Sequence, residues 1–302
     1  MSKICIAILI VSLLCFAAKG QALNPAFLNS TVVISYKPDA FHISSGSGFL
    51  VFREIKDGQG QIFLVTNKHV LPKEGTKVSV TIRVLTRTGD KSEVKELGIP
   101  IVGDNGKYLS SVAEHLNKDV DVAAVNITEE VVRNNVQGTW LPYSLFVTKE
   151  KLKAESIGVG DEIFLLGYPS TIYDPRNISP ILRTGIISTV PADGFAFNER
   201  FKNAYDLPDK IDGFLIDANV FPGSSGSLVI LKPQSTTIGA QGETVVSANK
   251  KTPYVLGIVS KSIPIDDTAL NSRQRMGLGV VYSADTIKET IEQFYKTNKN
   301  QP

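Results

Sequence analysis

The chain is 302 residues long, 42% apolar, with 32 basic against 30 acidic side chains and a formal charge of +2. A chain of that make-up buries one large or two small cores. Its lysines and arginines are scattered, with no basic stripe interleaved with aromatics. That distribution gives no reason to expect a nucleic-acid partner and leaves small polypeptides as an open substrate class.

At the start of the chain Lys3 gives a short basic region, Ile4 to Ala18 is an almost unbroken apolar run, and small residues follow. This is the pattern of a secretory signal peptide over residues 1–20, with cleavage after Gly20 or after Ala22. The run is short for a bilayer span, which takes about 20 apolar residues, so no membrane association is expected once the signal is removed. Leu14 before Cys15 is bulkier than a lipoprotein site usually carries. Both cysteines, Cys5 and Cys15, lie in this segment, so the mature chain forms no disulfide. Export without disulfides points to a bacterial periplasm or to secretion, and the sequons at Asn29, Asn126 and Asn177 read as chance matches.

Thr31 to Tyr36 reads as a β-branched and aromatic strand, and Lys37 to Ser45 as a loop. Phe49 to Arg53 and Gln61 to Thr66 form a hairpin across Asp57-Gly58. Val78 to Leu85, a turn over Arg87 to Lys91 and a returning strand over Glu93 to Val102 complete a first half expected to be a closed antiparallel sheet. After the polar stretch Asn105 to Lys118, Val120 to Ile127 is apolar again. Thr128 to Gln137 is a connecting loop or short helix. Further strands are expected at Glu162 to Gly167, Thr184 to Val190, Gly213 to Ala218, Leu228 to Ile230, Tyr254 to Val259 and Gly279 to Tyr282. Long loops are expected over Tyr168 to Leu182 and Lys232 to Pro253. Behind Ser283 as a cap, Thr286, Ile287, Ile291 and Phe294 stand at helical spacing, giving an amphipathic helix over residues 284–296.

The stretch Phe221-Pro222-Gly223-Ser224-Ser225-Gly226-Ser227, between two apolar strands, reads as a nucleophile loop with Ser225 at its tip. Glycines on both sides let the backbone take positive φ and turn the Gly223 and Ser225 amides toward a developing oxyanion. A serine needs a base, itself oriented by a carboxylate. The mature chain offers His42, His69 and His115, of which His69 directly follows a strand in Thr66-Asn67-Lys68-His69-Val70. Asp119 and Asp121 both precede the apolar run Val122 to Val125 and, two apart, face the same side of a strand. Asp121 abuts the run and is preferred. The order His, Asp, Ser is that of the chymotrypsin arrangement.

Gly46-Ser47-Gly48-Phe49, Thr66-Asn67-Lys68-His69-Val70, Asp121-Val122-Ala123 and Asp217-Ala218 running on to Gly223-Ser224-Ser225-Gly226-Ser227 together resemble the trypsin-like serine peptidases. The closer likeness is to the bacterial HtrA/Deg-like or V8-like branch. Val159-Gly160-Asp161, Gly167-Tyr168-Pro169, Thr184-Gly185-Ile186-Ile187-Ser188, Leu256-Gly257-Ile258 and Gly277-Leu278-Gly279 follow in the family's order, and the likeness spans about residues 31 to 295. It implies an all-β fold: two perpendicular six-stranded β-barrels over about 31–135 and 136–282, then the C-terminal helix, all within one peptidase domain over 21–302.

On that template His69 is general base and then acid, Asp121 orients it, Ser225 is the nucleophile, and the Gly223 and Ser225 amides form the oxyanion hole. The substrate pocket falls to Asn219, Ile258, Val259 and Ser260. Asn219, six residues before the nucleophile, puts a neutral amide where trypsin-type specificity needs a carboxylate, so a small or medium apolar side chain is expected there. Several features depart from relatives. No PDZ domain follows the peptidase, and Ser227 stands in place of a second glycine. Gly257-Ile258-Val259 lacks the histidine of glutamate-specific enzymes. Ser224 replaces the aspartate that pairs with a new terminal ammonium in digestive relatives, so no activating cut is expected. The implied function is an exported serine endopeptidase acting on protein or peptide through an acyl-enzyme, without cofactor or metal. The alternative is a catalytically silent peptide-binding protein on the same fold.

Overall fold

The computed structural model describes residues 23–299 apart from 77, 89–90, 206, 234–235, 239–241, 243, 247–251 and 268–271. The expected signal peptide lies outside the described residues, and none of the described helices is long and apolar enough to cross a membrane.

A short helix, α1 (Pro25–Asn29), opens the described chain, with the Asn24 side chain accepting from Ala26 N–H at 2.9 Å and proline in the first turn. The first half then contributes β1 (Thr31–Tyr36), β2 (Ser44–Lys56), β3 (Gln59–Thr66), β4 (Val80–Thr88), β5 (Lys91–Ile99), β6 (Val112–Glu114), β7 (Ala123–Asn126) and β8 (Leu141–Pro142), with α2 (Thr128–Arg133) after β7. These strands form one sheet in the order β5-β4-β1-β2-β3-β7-β6, with β8 added parallel to β2. The β2–β3 hairpin turns at Asp57-Gly58, both at positive φ, as the sequence pattern implied. β4 and β5 pair out to Thr88 and Lys91, so the connection is shorter than the expected Arg87–Lys91 turn.

The two edges of this sheet, β5 and β6, are not paired with each other among the described residues. The intervening stretch carries Gly103-Asp104-Asn105-Gly106-Lys107 in its middle and supplies no strand-length apolar run. A small turn with a Val102–Tyr108 bridge spans the gap instead.

In the second half α3 (Lys149–Ala154) precedes β9 (Glu162–Gly167), β10 (Ile181–Ile187), the short pair β11 (Phe195–Ala196) and β12 (Lys210–Ile211) on either side of α4 (Glu199–Tyr205), β13 (Gly213–Asp217) and β14 (Leu228–Leu231). The hairpin β15 (Thr236–Ile238) and β16 (Thr244–Val246) lies where a long loop was expected. The long strands β17 (Val255–Asp267) and β18 (Ser272–Ser283) follow, then α5 (Ala284–Lys299). Six of these strands close a barrel in the order β10-β13-β18-β17-β14-β9.

Strand alternation explains how the halves meet. Leu50, Ile62, Leu64, Ala123 and Val125 face one core together with Val32, Ile34 and Ile82. Their neighbours Phe49, Val51, Phe63, Val65 and Ala124 face the opposite way, into a core shared with the barrel and α5. β2 and β3 are therefore apolar on both faces, which is why they read as continuous apolar runs. Ile287, Ile291 and Phe294 of α5 enter the shared core, and the Phe294 ring meets Phe63 edge-on with centroids 5.3 Å apart. Ser283 does not cap α5 with its hydroxyl, which is buried without a partner among the described residues. Its carbonyl accepts from Thr286 Oγ1 at 2.7 Å.

Candidate active site

His69 sits on the single 3-10 turn Lys68–Val70 that ends β3, and buried Val70 fixes the turn to the first core. Asn67, also buried, donates through Nδ2 to the Asp121 carbonyl at 2.6 Å. Lys68 Nζ donates to the carbonyls of His115 and Asn117 at 3.0 and 3.2 Å. The turn carrying the histidine is thus tied to the segment carrying the aspartate. His69 Nδ1 lies 2.6 Å from Asp121 Oδ2, and His69 N–H donates to Asp121 Oδ1 at 3.2 Å. Because an ionised carboxylate only accepts, Nδ1 carries the hydrogen and Nε2 is left as the acceptor. The imidazole is half exposed, at 51%, and the carboxylate more enclosed, at 21%.

A third hydroxyl joins this pair. Ser260 Oγ donates to Asp121 Oδ2 at 2.7 Å. Burial pushes the Asp121 carboxyl up, but the bonds from His69 and Ser260 outweigh it and hold the group below the ordinary aspartate value. Asp119, the other sequence candidate, has its carbonyl held by Tyr282 Oη, and its side chain makes no bond to His69. His42 pairs with Asp39 at 2.8 Å, and His115 with Glu289 at 2.8 Å on α5. Neither is bonded to Ser225.

The nucleophile loop consists of two tight turns in succession. Ser224 N–H returns to the Phe221 carbonyl at 2.9 Å with Gly223 at φ +83°, and Ser227 N–H returns to Ser224 at 2.9 Å with Gly226 at φ +85°. Both positions exclude a side chain. A Cβ at Gly223 would lie 2.6 Å from the Tyr168 carbonyl, and one at Gly226 would overlap the Ser47 carbonyl. The loop is anchored from the first half by Ser47, whose N–H donates to the Ser225 carbonyl at 2.8 Å and whose Oγ donates to the Gly223 carbonyl at 2.8 Å. From the other side Ser170 N–H donates to the Pro222 carbonyl at 2.6 Å. In a planar trans peptide the carbonyl and N–H point oppositely, so this bond turns Gly223 N–H away from the 169–171 segment. Neither Gly223 N–H nor Ser225 N–H has an acceptor among the described residues.

Ser225 Oγ donates to the Ser260 carbonyl at 2.8 Å, and no hydrogen bond joins it to His69 among the described residues. The four expected pocket residues separate. Asn219 is exposed, whereas Ile258 and Val259, on opposite faces of β17, have no exposed surface and stand in the shared core with Leu228 and Val281. Ser260, almost fully buried, spends its hydroxyl on Asp121 and its carbonyl on Ser225.

Three contributors were not singled out from sequence. Ser47 was visible only as the middle of Gly46-Ser47-Gly48. Ser170 acts through its backbone, at φ +50°. Arg183 on β10 donates to the Asn219 carbonyl and, at 3.1 Å, to Ser224 Oγ, and no sequence pattern marks it. No group of three or more His, Asp or Glu residues suited to a metal ion occurs among the described residues.

A family model described as a trypsin-like peptidase domain matches residues 46–239. No curated protein matches the chain. Among solved structures, an inactive form of Rv3671c from M. tuberculosis H37Rv is 18% identical, with 89% of each chain covered and a TM-score of 0.46. The protease Anisep from Arthrobacter nicotinovorans is 12% identical, covering 88% of this chain and 95% of its own, with a TM-score of 0.45. HBP is 12% identical, covering 94% and 97%, with a TM-score of 0.46.

Proposed function

The chain belongs to the trypsin-like peptidase family, and from that premise we propose that it is an exported serine endopeptidase that cleaves protein or peptide bonds through an acyl-enzyme. The observation that carries the reading is the 2.6 Å contact of His69 Nδ1 with Asp121 Oδ2, which leaves Nε2 as an acceptor, while Ser260 joins Asp121 to Ser225 of a loop with two amides that have no acceptor among the described residues. In the proposed cycle Ser225 Oγ gives its proton to His69 Nε2 and attacks the scissile carbonyl. The negative charge that forms on the carbonyl oxygen is taken up by Gly223 N–H and Ser225 N–H. His69 then returns the proton to the leaving amine, and water repeats the sequence on the acyl-serine. Asp121, holding three hydrogen bonds, keeps the imidazole in one tautomer and offsets its charge while it is protonated.

One observation favours the second reading, a silent peptide-binding protein: the Ser225 hydroxyl is engaged by the Ser260 carbonyl. Catalysis requires a rotation about Ser225 χ1 that exchanges this acceptor for His69 Nε2. A fluorophosphonate probe on the mature chain decides between the two. Labelling at Ser225, lost in Ser225→Ala together with about 10⁴-fold or more of peptide hydrolysis, supports the enzyme. An inert wild-type chain supports the binder. The expected export is tested by sequencing the N-terminus of the protein recovered outside the cytoplasm, where a start at residue 21 or 23 is expected.

A further inference from the structure

Arg183 lies on the inward-facing side of β10, at the back of the nucleophile loop. Its guanidinium donates to the Asn219 carbonyl and to Ser224 Oγ, and it lies over the Phe221 ring, 5.9 Å from the centroid. Ser224 Oγ, fully enclosed, also accepts from Phe221 N–H at 3.3 Å. Among the described residues no carboxylate pairs with Arg183, and its Nε is buried without an acceptor. A half-buried cation without a counterion is costly and depends on the dipoles that face it. Both of those dipoles belong to one loop.

We propose that Arg183 is a positioning residue for the oxyanion site, a fixed internal cation whose planar fork clamps the two legs of loop 219–224 and thereby holds the Gly223 and Ser225 amides in register. The inference rests on the serine-peptidase reading. Ser224 stands between the two amides, so any tilt of Ser224 moves both of them. Ser170 N–H fixes the Pro222 carbonyl and Ser47 fixes the carbonyls of Gly223 and Ser225, and Arg183 adds the hold from β10 on the Asn219 carbonyl and on the Ser224 hydroxyl, which Phe221 N–H shares. Moving the loop would strip the guanidinium of both partners, and that penalty favours the ordered arrangement. A lysine reaches one acceptor as a point charge and cannot span the two.

The test compares wild type, Arg183→Met, Arg183→Lys and Arg183→Ala in the mature chain. Measured are kcat and KM on a peptide amide, affinity for a peptidyl boronate that fills the oxyanion site, and affinity for the cleaved product peptide, which does not. For Arg183→Met the expected result is a kcat loss of about 10²-fold, of the size reported for losing one oxyanion donor, with KM and product affinity within about threefold. Boronate binding should weaken in parallel with kcat. Arg183→Lys should recover only part, and guanidinium ion far below denaturing concentration should raise kcat of Arg183→Ala at least about tenfold.

A kcat for Arg183→Met within about threefold of wild type overturns the proposal. So does a loss carried entirely by KM, or a change in which residue precedes the cut, which would make Arg183 a reader of substrate charge. If the arginine variants do not fold, Ser224→Ala, which removes only the hydroxyl acceptor, should still lower kcat, and an unchanged kcat overturns the clamp. A wild-type chain inert to fluorophosphonate overturns the serine-peptidase reading itself and this inference with it. Active wild type with equally active variants overturns the clamp alone.

Discussion

Replacing Ser47 by alanine removes a fully buried hydroxyl that accepts from Tyr168 N–H at 2.9 Å and donates to the Gly223 carbonyl at 2.8 Å. Two backbone groups lose their partner at once. An unsatisfied buried group costs about 1–3 kcal/mol, and taking the buried Tyr168 N–H near 2 and the part-buried Gly223 carbonyl near 1 gives about 3 kcal/mol. In a domain of this size each kcal/mol lowers Tm by about 2–4 °C, so Ser47→Ala should melt about 6–12 °C below wild type. Ser47 N–H still holds the Ser225 carbonyl, so the loop persists while its Gly223 peptide is loosened, and kcat should fall by about 10- to 10²-fold. Ser227→Ala is the control. Among the described residues Ser227 Oγ reaches only Ser47 Oγ, at 3.5 Å, the outer limit of a hydrogen bond, and its loss should shift Tm by no more than about 4 °C. Scanning calorimetry and steady-state kinetics on the three proteins are sufficient. A Ser47→Ala melt within about 2 °C of wild type, or equal shifts for both variants, would refute the assignment of Ser47 as the shared partner of Tyr168 and Gly223.

Asp121→Asn should lower kcat by about 10⁴-fold, the loss seen when a triad aspartate becomes an amide, whereas Asp119→Asn should stay within about threefold. The reverse ranking in a peptide-hydrolysis assay would transfer the orienting role to Asp119. Asp121 is also expected to make the fold acid-labile. Its folded pKa lies below the ordinary value of 3.8, so the unfolded chain takes up a proton at a pH where the native chain does not. The stability it contributes is complete above about pH 5 and is lost as pH falls through the unfolded value toward the folded one. Tm should therefore drop more steeply below about pH 4 in wild type than in Asp121→Asn, and parallel curves would remove Asp121 from the acid transition.

Much of the fold was legible where one physical signal dominated. Thr31–Tyr36 and Glu162–Gly167 are strands with the bounds the sequence implied, because each is a β-branched or apolar run ended by turn residues. α5 was legible from the spacing of Ile287, Ile291 and Phe294, although its expected serine cap is absent. α1, α3 and α4 were missed because helices of five to seven residues carry no periodicity, only caps such as Asn24 and Thr148. The β17–β18 hairpin was read too short. Beyond Ser260 the apolar run is interrupted by Lys261 and Ser262 and holds, among the described residues, one buried residue, Ile263, while cross-strand pairing carries the hairpin on to Asp267 and Ser272.

At the candidate site, His69, Asp121 and Ser225 could be named because the chemistry fixes their residue types. The pocket residues could not be sorted by position alone. Ile258 and Val259 are apolar because β17 is buried on both faces there, and Ser260 spends its hydroxyl as a donor to Asp121. Arg183 and Ser170 donate to carbonyls and a hydroxyl of a distant loop, and such partners leave no mark in the sequence around either residue.

The two-faced strands β2 and β3 bear on the order in which the protein can be made. Their second face is covered by elements translated later, α5 last among them, with Phe294 against Phe63, Glu292 to Arg53 at 2.9 Å and Glu289 to His115 at 2.8 Å. During synthesis the first half therefore emerges with Phe49, Val51, Phe63 and Val65 unprotected, a surface prone to association. Expression of residues 23–135 alone should give a chain that self-associates rather than a soluble half. The helix that closes the shared core acts as a latch on the beginning of the chain, so the two halves reach their final packing together.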